Sequence, residues 1–209
     1  MVFLDHVIYG TRDLEETAAQ LEQMCGLRFL PGGRHPGGTV NCVAPLEPPQ
    51  YLELIAVEEV ADAVTQTIET LLDEGRTLLG WGIAVDDIEA VAARLGCEVE
   101  AGSIKRADGS TGSWRVVGSD DPSLPFFITY DDPEDDPGLR LRQWQDRVRE
   151  AGNGDFGGFR FVEVGGDPDE LRAWLGNDDL PVRFVAGRPG LHAVGIAGPV
   201  GEIVIRDES

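Results

Sequence analysis

The sequence predicts an α+β protein built from a β-α-β-β-β unit repeated along the chain. Two observations carry this. A short apolar strand and an Asp-led helix ending at glycine recur at Leu4–Asp13–Gly26, Leu78–Asp87–Gly96 and Phe159–Asp167–Gly176. Further strand-like runs follow each of these glycines. Such a repeat is one supersecondary unit that cannot bury its apolar face alone, so copies are expected to pack together. The boundaries read as modules over 1–58, 77–132 and a divergent 156–209, with helical connectors over 59–76 and 133–155.

In the first unit, Asp13 caps the helix and Glu16 is placed to complete a capping box. Leu14, Ala18, Leu21 and Cys25 then share one face, and Gly26 permits the left-handed turn that ends it. Leu27–Leu30, Thr39–Val43 and Tyr51–Val57 read as its strands. Val60, Val64, Ile68, Leu71 and Leu72 give the connector a packing face. The second unit repeats the plan with Ile88, Val91, Ala92 and Leu95 as the buried stripe. Its strands Ser113–Val117 and Phe126–Tyr130 follow a polar loop at Ala107–Gly112. In the third, Asp167-Pro168-Asp169-Glu170 combines a cap, a proline at the first helical position and a capping-box glutamate. Leu171, Trp174 and Leu175 face inward, Val182–Val185 is a strand, and Gly190–Ala197 with Gly201–Arg206 forms a hairpin.

The chain has 209 residues, enough for a sizeable core, and no apolar run approaches the ~20 residues of a membrane span. No basic-then-apolar leader opens it, so a soluble cytoplasmic protein is expected. Cys25, Cys42 and Cys97 are odd in number and lack CxxC spacing, which fits reduced structural thiols. The net charge of −21 disfavours nucleic acid and anionic membrane as partners and leaves either attraction of cationic ligands or plain solubility; the partner expected is a small molecule. The run Asp131–Asp136 reads as linker. Neither a phosphate-binding glycine loop nor a nucleophile elbow is present.

Leu4-Asp5-His6-Val7-Ile8-Tyr9 and Tyr51-Leu52-Glu53-Leu54-Ile55 place His in the first strand of a module and Glu in its last. This arrangement resembles the vicinal oxygen chelate superfamily, which includes glyoxalase I, extradiol dioxygenases, and fosfomycin- and bleomycin-resistance proteins. Pro31–Asn41 before the Glu strand, and Leu124–Ile128 in the second unit, resemble the glyoxalase-like domain subgroup. The resemblance implies a cupped, barrel-like mixed sheet enclosing a divalent ion held by one ligand from the first and last strand of each module.

His6 and Glu53 match that pattern in the first unit. In the second, aligning Asp13-Leu14 with Asp87-Ile88 puts Gly80 opposite His6. Aligning Tyr51–Leu54 with Phe127–Tyr130 puts Thr129 opposite Glu53. Glycine cannot ligate through a side chain and a Thr hydroxyl is a poor substitute for carboxylate, so half the usual set is missing. His35, on a glycine-flanked loop, is the natural third donor, and His6, His35 and Glu53 would leave positions open for substrate oxygens. His192 lies further from the pattern. The cofactor expectation is either one divalent ion (Zn, Ni, Mn or Fe) or none. Without metal, Glu53 remains the candidate catalytic residue, since a carboxylate in an apolar strand is costly unless paired or working. Thr39, Asn41, Trp81, Thr129 and Tyr130 are the candidate ligand-contacting residues. The functions expected are metal-assisted lyase, isomerase or dioxygenase chemistry on a small oxygenated molecule, or metal-free binding and sequestration. A structural domain with a degenerate cup is the third possibility, and the chain is expected to work as monomer or homodimer.

Overall fold

A computed structural model describes residues 2–131, 136, 138–176 and 179–207. Residues 132–135 of the expected acidic linker lie outside the described residues. The first unit comprises β1 (Phe3–Gly10), α1 (Leu14–Cys25), β2 (Leu30–Arg34), β3 (Thr39–Pro45) and β4 (Tyr51–Val57), followed by α2 (Ala63–Asp73). The second comprises β5 (Leu78–Ala84), α3 (Ile88–Leu95), β6 (Glu100–Arg106), β7 (Thr111–Val117) and β8 (Phe126–Tyr130), followed by α4 (Leu139–Ala151). The third comprises β9 (Phe159–Gly165), α5 (Pro168–Leu175), β10 (Val182–Phe184), β11 (Gly190–Gly198) and β12 (Gly201–Arg206).

The first two units close into an eight-stranded barrel in the order β1-β4-β3-β2-β6-β7-β8-β5. In each, the first strand pairs in parallel with the last, β1 with β4 and β5 with β8. The two units meet where β1 lies antiparallel to β5 and β2 antiparallel to β6. Closure removes free sheet edges and leaves alternate residues of every strand facing the interior. The opposite face of β4 carries Leu52 and Leu54, both fully buried in the outer core.

Helix ends follow the local signals. Asp13 and Asp87 accept the amides of Glu16 and Ala90, and Gly26 and Gly96 adopt left-handed closing turns. Glu16 does not complete a box; its carboxylate takes the Gln20 side-chain amide, while a reciprocal capping box forms at Asp62 and Thr65. Val60 precedes α2, and Val60 and Val64 are exposed, so Thr65 and Ile68 provide the buried face. The strand expected at Leu27 begins only at Leu30. The backbone N–H and C=O of Arg28 are instead taken by the buried side chain of Asn153 beyond α4, which removes them from the ladder.

The third unit keeps the β-α-β-β-β order along the chain but not the pairing. Its sheet runs β10-β9-β11-β12, with β10 parallel to β9. The second strand thus takes the parallel place beside the first that the last strand takes in the barrel units, because α5 and the turn after it return the chain alongside β9. This sheet docks outside the barrel. Asp207 accepts the amides of Thr77 and Leu78, and Trp174 donates to the Pro125 carbonyl.

Candidate active site

The barrel encloses an open cavity of about 800 Å³. Its lining follows the period of two: His6 and Ile8 from β1, Thr39, Asn41 and Val43 from β3, Tyr51, Glu53 and Ile55 from β4, and Phe126, Ile128 and Tyr130 from β8. Helix α4 lies across the mouth and adds Arg140, Gln143, Trp144 and Arg147, the i, i+3, i+4, i+7 face of one helix.

Strand alternation would point Asp5 away from His6. A β-bulge prevents this. Leu4 pairs with Ile83 and His6 with the adjacent Gly82, so Asp5 is the extra residue on β1. The fully buried Asp5 carboxylate therefore reaches the Nδ1 of His6 at 2.7 Å. It also accepts the Tyr130 hydroxyl at 3.0 Å and the Arg140 guanidinium at 2.7 Å. Burial pushes the Asp5 carboxyl up, but the His6 hydrogen bond, the Arg140 charge and the Tyr130 hydroxyl together hold it below the usual carboxylate range. Burial, with the Asp5 charge close by, drives the Tyr130 hydroxyl well above its ordinary value; Tyr51 is raised by burial and by Tyr130 and Asp5. Since Tyr130 donates to Asp5, Tyr51 donates to Tyr130 across 3.1 Å. The His6 ring stacks on Tyr51, which stacks on Trp144, each at 4.5 Å between centroids.

An ionised Asp5 accepts the proton on Nδ1, which leaves Nε2 of His6 turned toward Glu53. That nitrogen lies 3.7 Å from Glu53 Oε2, close but not hydrogen-bonded. The other Glu53 oxygen accepts the Asn41 side-chain amide at 2.5 Å, and Asn41 is itself fixed by the backbone N–H of Gly33. Glu53 is only 6% exposed.

His6, Glu53, Asn41, Thr39 and Tyr130 all line the one cavity. His35 also lines it, but its Nδ1 is 2.8 Å from the Thr39 hydroxyl and its ring stands edge-on to Trp114. Among the described residues, no three His, Cys, Asp or Glu side chains are grouped to hold a metal, so His35 does not join His6 and Glu53 as a ligand set. Trp81 is a core residue on the outer face of β5, 1% exposed, and not a cavity wall. Thr129 falls between Ile128 and Tyr130 and by alternation faces away from the cavity. The Gly80 match is supported by pairing. Val7 opposes Trp81, and around that pair His6 opposes Gly82 while Ile8 opposes Gly80, a symmetric exchange placing Gly80 where His6 stands in β1. The second unit thus offers no ligating side chain at either place. His192 is held by the Arg188 carbonyl in the third sheet. Sequence reading missed Asp5, Tyr51, Phe126, Trp114 and the α4 face; the spacing of Arg140, Trp144 and Arg147 was the available signal for the last.

Residues 4–177 match the glyoxalase-like domain family, and the chain belongs to that family. The barrel of paired modules is the vicinal oxygen chelate fold. A hypothetical protein from Staphylococcus aureus shares the fold at 17% identity, covering 100% of this chain and 86% of its own, with a TM-score of 0.59. A methylmalonyl-CoA epimerase from Streptomyces coelicolor is 16% identical over 62% of this chain and 98% of its own, at a TM-score of 0.45. A hypothetical protein from Bacillus halodurans is 14% identical over 64% and 96%, at 0.46. No curated protein matches the sequence. Among the described residues, no helix is long and apolar enough to cross a membrane.

Proposed function

We propose that this protein binds a small oxygenated organic molecule in the barrel cavity and transfers a proton on it, with Glu53 as the base. The observation that carries this reading is a carboxylate on a buried apolar strand, one oxygen anchored by Asn41 and the other facing the cavity beside His6. Glu53 Oε2 takes a proton from a carbon next to a carbonyl and returns it to that carbon or its neighbour, so isomerisation needs no further reagent. Asp5 fixes the His6 ring, whose Nε2 accepts a substrate hydroxyl and orients the reacting carbon.

A divalent ion is the group that the family's usual chemistry implies. His6 Nε2 and Glu53 Oε2 give two donors with a fixed second partner behind each, but no third ligand joins them among the described residues. Two side chains do not fit a resident centre, which takes three or four. The proton transfer is complete without one. Binding without turnover is the second reading, favoured by the aromatic lining of Tyr51, Phe126, Trp114 and Trp144.

The test is a screen of aldehydes, epoxides, catechols and 2-oxoacids for binding and turnover, with and without added Mn, Fe, Ni or Zn. Turnover lost in Glu53→Gln with binding retained supports the proton-transfer reading. Tight binding with no turnover anywhere supports sequestration. Turnover unaffected by Glu53→Gln overturns the role of Glu53.

A further inference from the structure

We infer that Arg147 and Arg106 form an anion subsite at the cavity mouth that takes the carboxylate or phosphate group of the substrate, an inference that rests on the cavity being the substrate site proposed above. Arg147 comes from the cavity face of α4 and Arg106 from the end of β6, so two elements far apart in sequence deliver guanidinium groups to one opening. Neither has a carboxylate oxygen within 4.0 Å among the described residues. Arg106 has one side-chain bond, from Nη1 to the Ser110 hydroxyl at 3.3 Å. Arg147 donates from Nη2 to the Pro31 carbonyl at 2.9 Å and lies 5.3 Å from the Trp144 ring centre. Those contacts fix its plane, yet its Nε is buried with no hydrogen-bond partner.

An unsatisfied buried guanidinium N–H is costly, and so is bringing two like charges to one opening. Burial lowers the Arg147 pKa and the Arg106 charge lowers it further, against the pull of Glu150, Tyr51 and Asp108. Asp108 acts on both arginines through its charge without forming an ion pair with either. Asp108 accepts the Ser110 backbone N–H, and Asp146 is paired with Arg149. Arg140, the remaining guanidinium of the α4 face, is committed to Asp5. Neither guanidinium therefore has a carboxylate hydrogen-bonded to it from the described residues, and a ligand's carboxylate or phosphate at the opening would supply one through the donors that Pro31 and Ser110 leave free. The net charge of −21 acts against anions at long range, and screening beyond a Debye length of ~8 Å limits that repulsion for a ligand already at the two guanidiniums. A ligand seated this way has its acid group under α4 and its reacting carbon inward toward Glu53.

The test is calorimetric titration of the full chain with pyruvate, inorganic phosphate and the neutral counterpart hydroxyacetone. Saturable binding of pyruvate or phosphate, absent for hydroxyacetone, is expected, and the preferred anion identifies the acid group. Arg147→Gln and Arg106→Gln should each weaken it about tenfold or more. Arg106 is the safer variant for folding, being on a strand end, and thermal melts check both. Anion binding is read here without turnover, so loss of the Glu53 reading and loss of the subsite are separable outcomes. Absence of saturable binding of either anion at millimolar concentrations, or binding unchanged in both arginine variants, overturns the inference.

Discussion

Arg140→Ala tests whether α4 is latched to the barrel through a buried charge. Arg140 is 17% exposed in its side chain and Asp5 not at all, and their 2.7 Å contact joins α4 to the buried carboxylate. Removing one partner of a fully buried pair costs about 3–5 kcal/mol. Asp5 keeps the His6 and Tyr130 donors and Arg140 is partly exposed, which places the pair at or just below the lower end of that range, at about 2–3 kcal/mol. The guanidinium also sits 3.7 Å from the Tyr130 ring centre, and that contact contributes about 0.5–1 kcal/mol. A total of about 3 kcal/mol corresponds to roughly 6–12 °C in Tm for a chain of this size. Thermal melts followed by circular dichroism at pH 7 are the assay, with exposed Arg12→Ala, which breaks pairs to Glu69 and Asp73, as the control expected to leave Tm unchanged. The sign in pH follows from Asp5. Its folded pKa is depressed, so its contribution is present above the unfolded value and lost as pH falls through the folded one. Arg140→Ala removes part of that depression and should move acid unfolding to higher pH. A Tm change no larger than that of Arg12→Ala would refute the latch.

Four further outcomes are expected. Gly82→Ala would place its Cβ 2.8 Å from the Phe126 ring and 3.0 Å from His6 Cε1, so it should cost about 1–3 kcal/mol by thermal melt. Gly80→Ala, with no atom within 4 Å of its Cβ, should be tolerated; equal losses at both sites would contradict the packing around His6. The Cys42 thiol is pushed up to about 12 by burial and by the Glu53 charge, so iodoacetamide at pH 8 should leave it unmodified in the folded protein. Glu53→Gln removes the second cause and should speed Cys42 labelling, measured by mass spectrometry; a slower rate would place Glu53 elsewhere.

The modules were legible because each carries its own punctuation: an Asp cap, an apolar stripe and a closing glycine at 13–26 and 87–96. Pairing in the third unit was not, since sequence order alone cannot say whether β10 or the last strand lies beside β9. The family resemblance singled out His6 and Glu53, while strand alternation hid Asp5, because a bulge is an insertion in register that only the partner strand reveals. Aligning Tyr51–Leu54 with Phe127–Tyr130 put Thr129 opposite Glu53, whereas strand alternation, with Ile128 and Tyr130 inward, turns it out. Helix α4 read as a connector because its cavity face is polar, and its role depends on the open mouth beneath it.

The most direct test is the ring state of His6, read by long-range proton–nitrogen correlation spectra of the intact protein at neutral pH. The chain has three histidines, so a His6→Gln spectrum assigns the signal. The account predicts a proton on Nδ1, held by Asp5, with Nε2 bare and facing Glu53, and a changed signal in Asp5→Asn. A proton on Nε2 in the wild type, with a spectrum indifferent to Asp5→Asn, would contradict it.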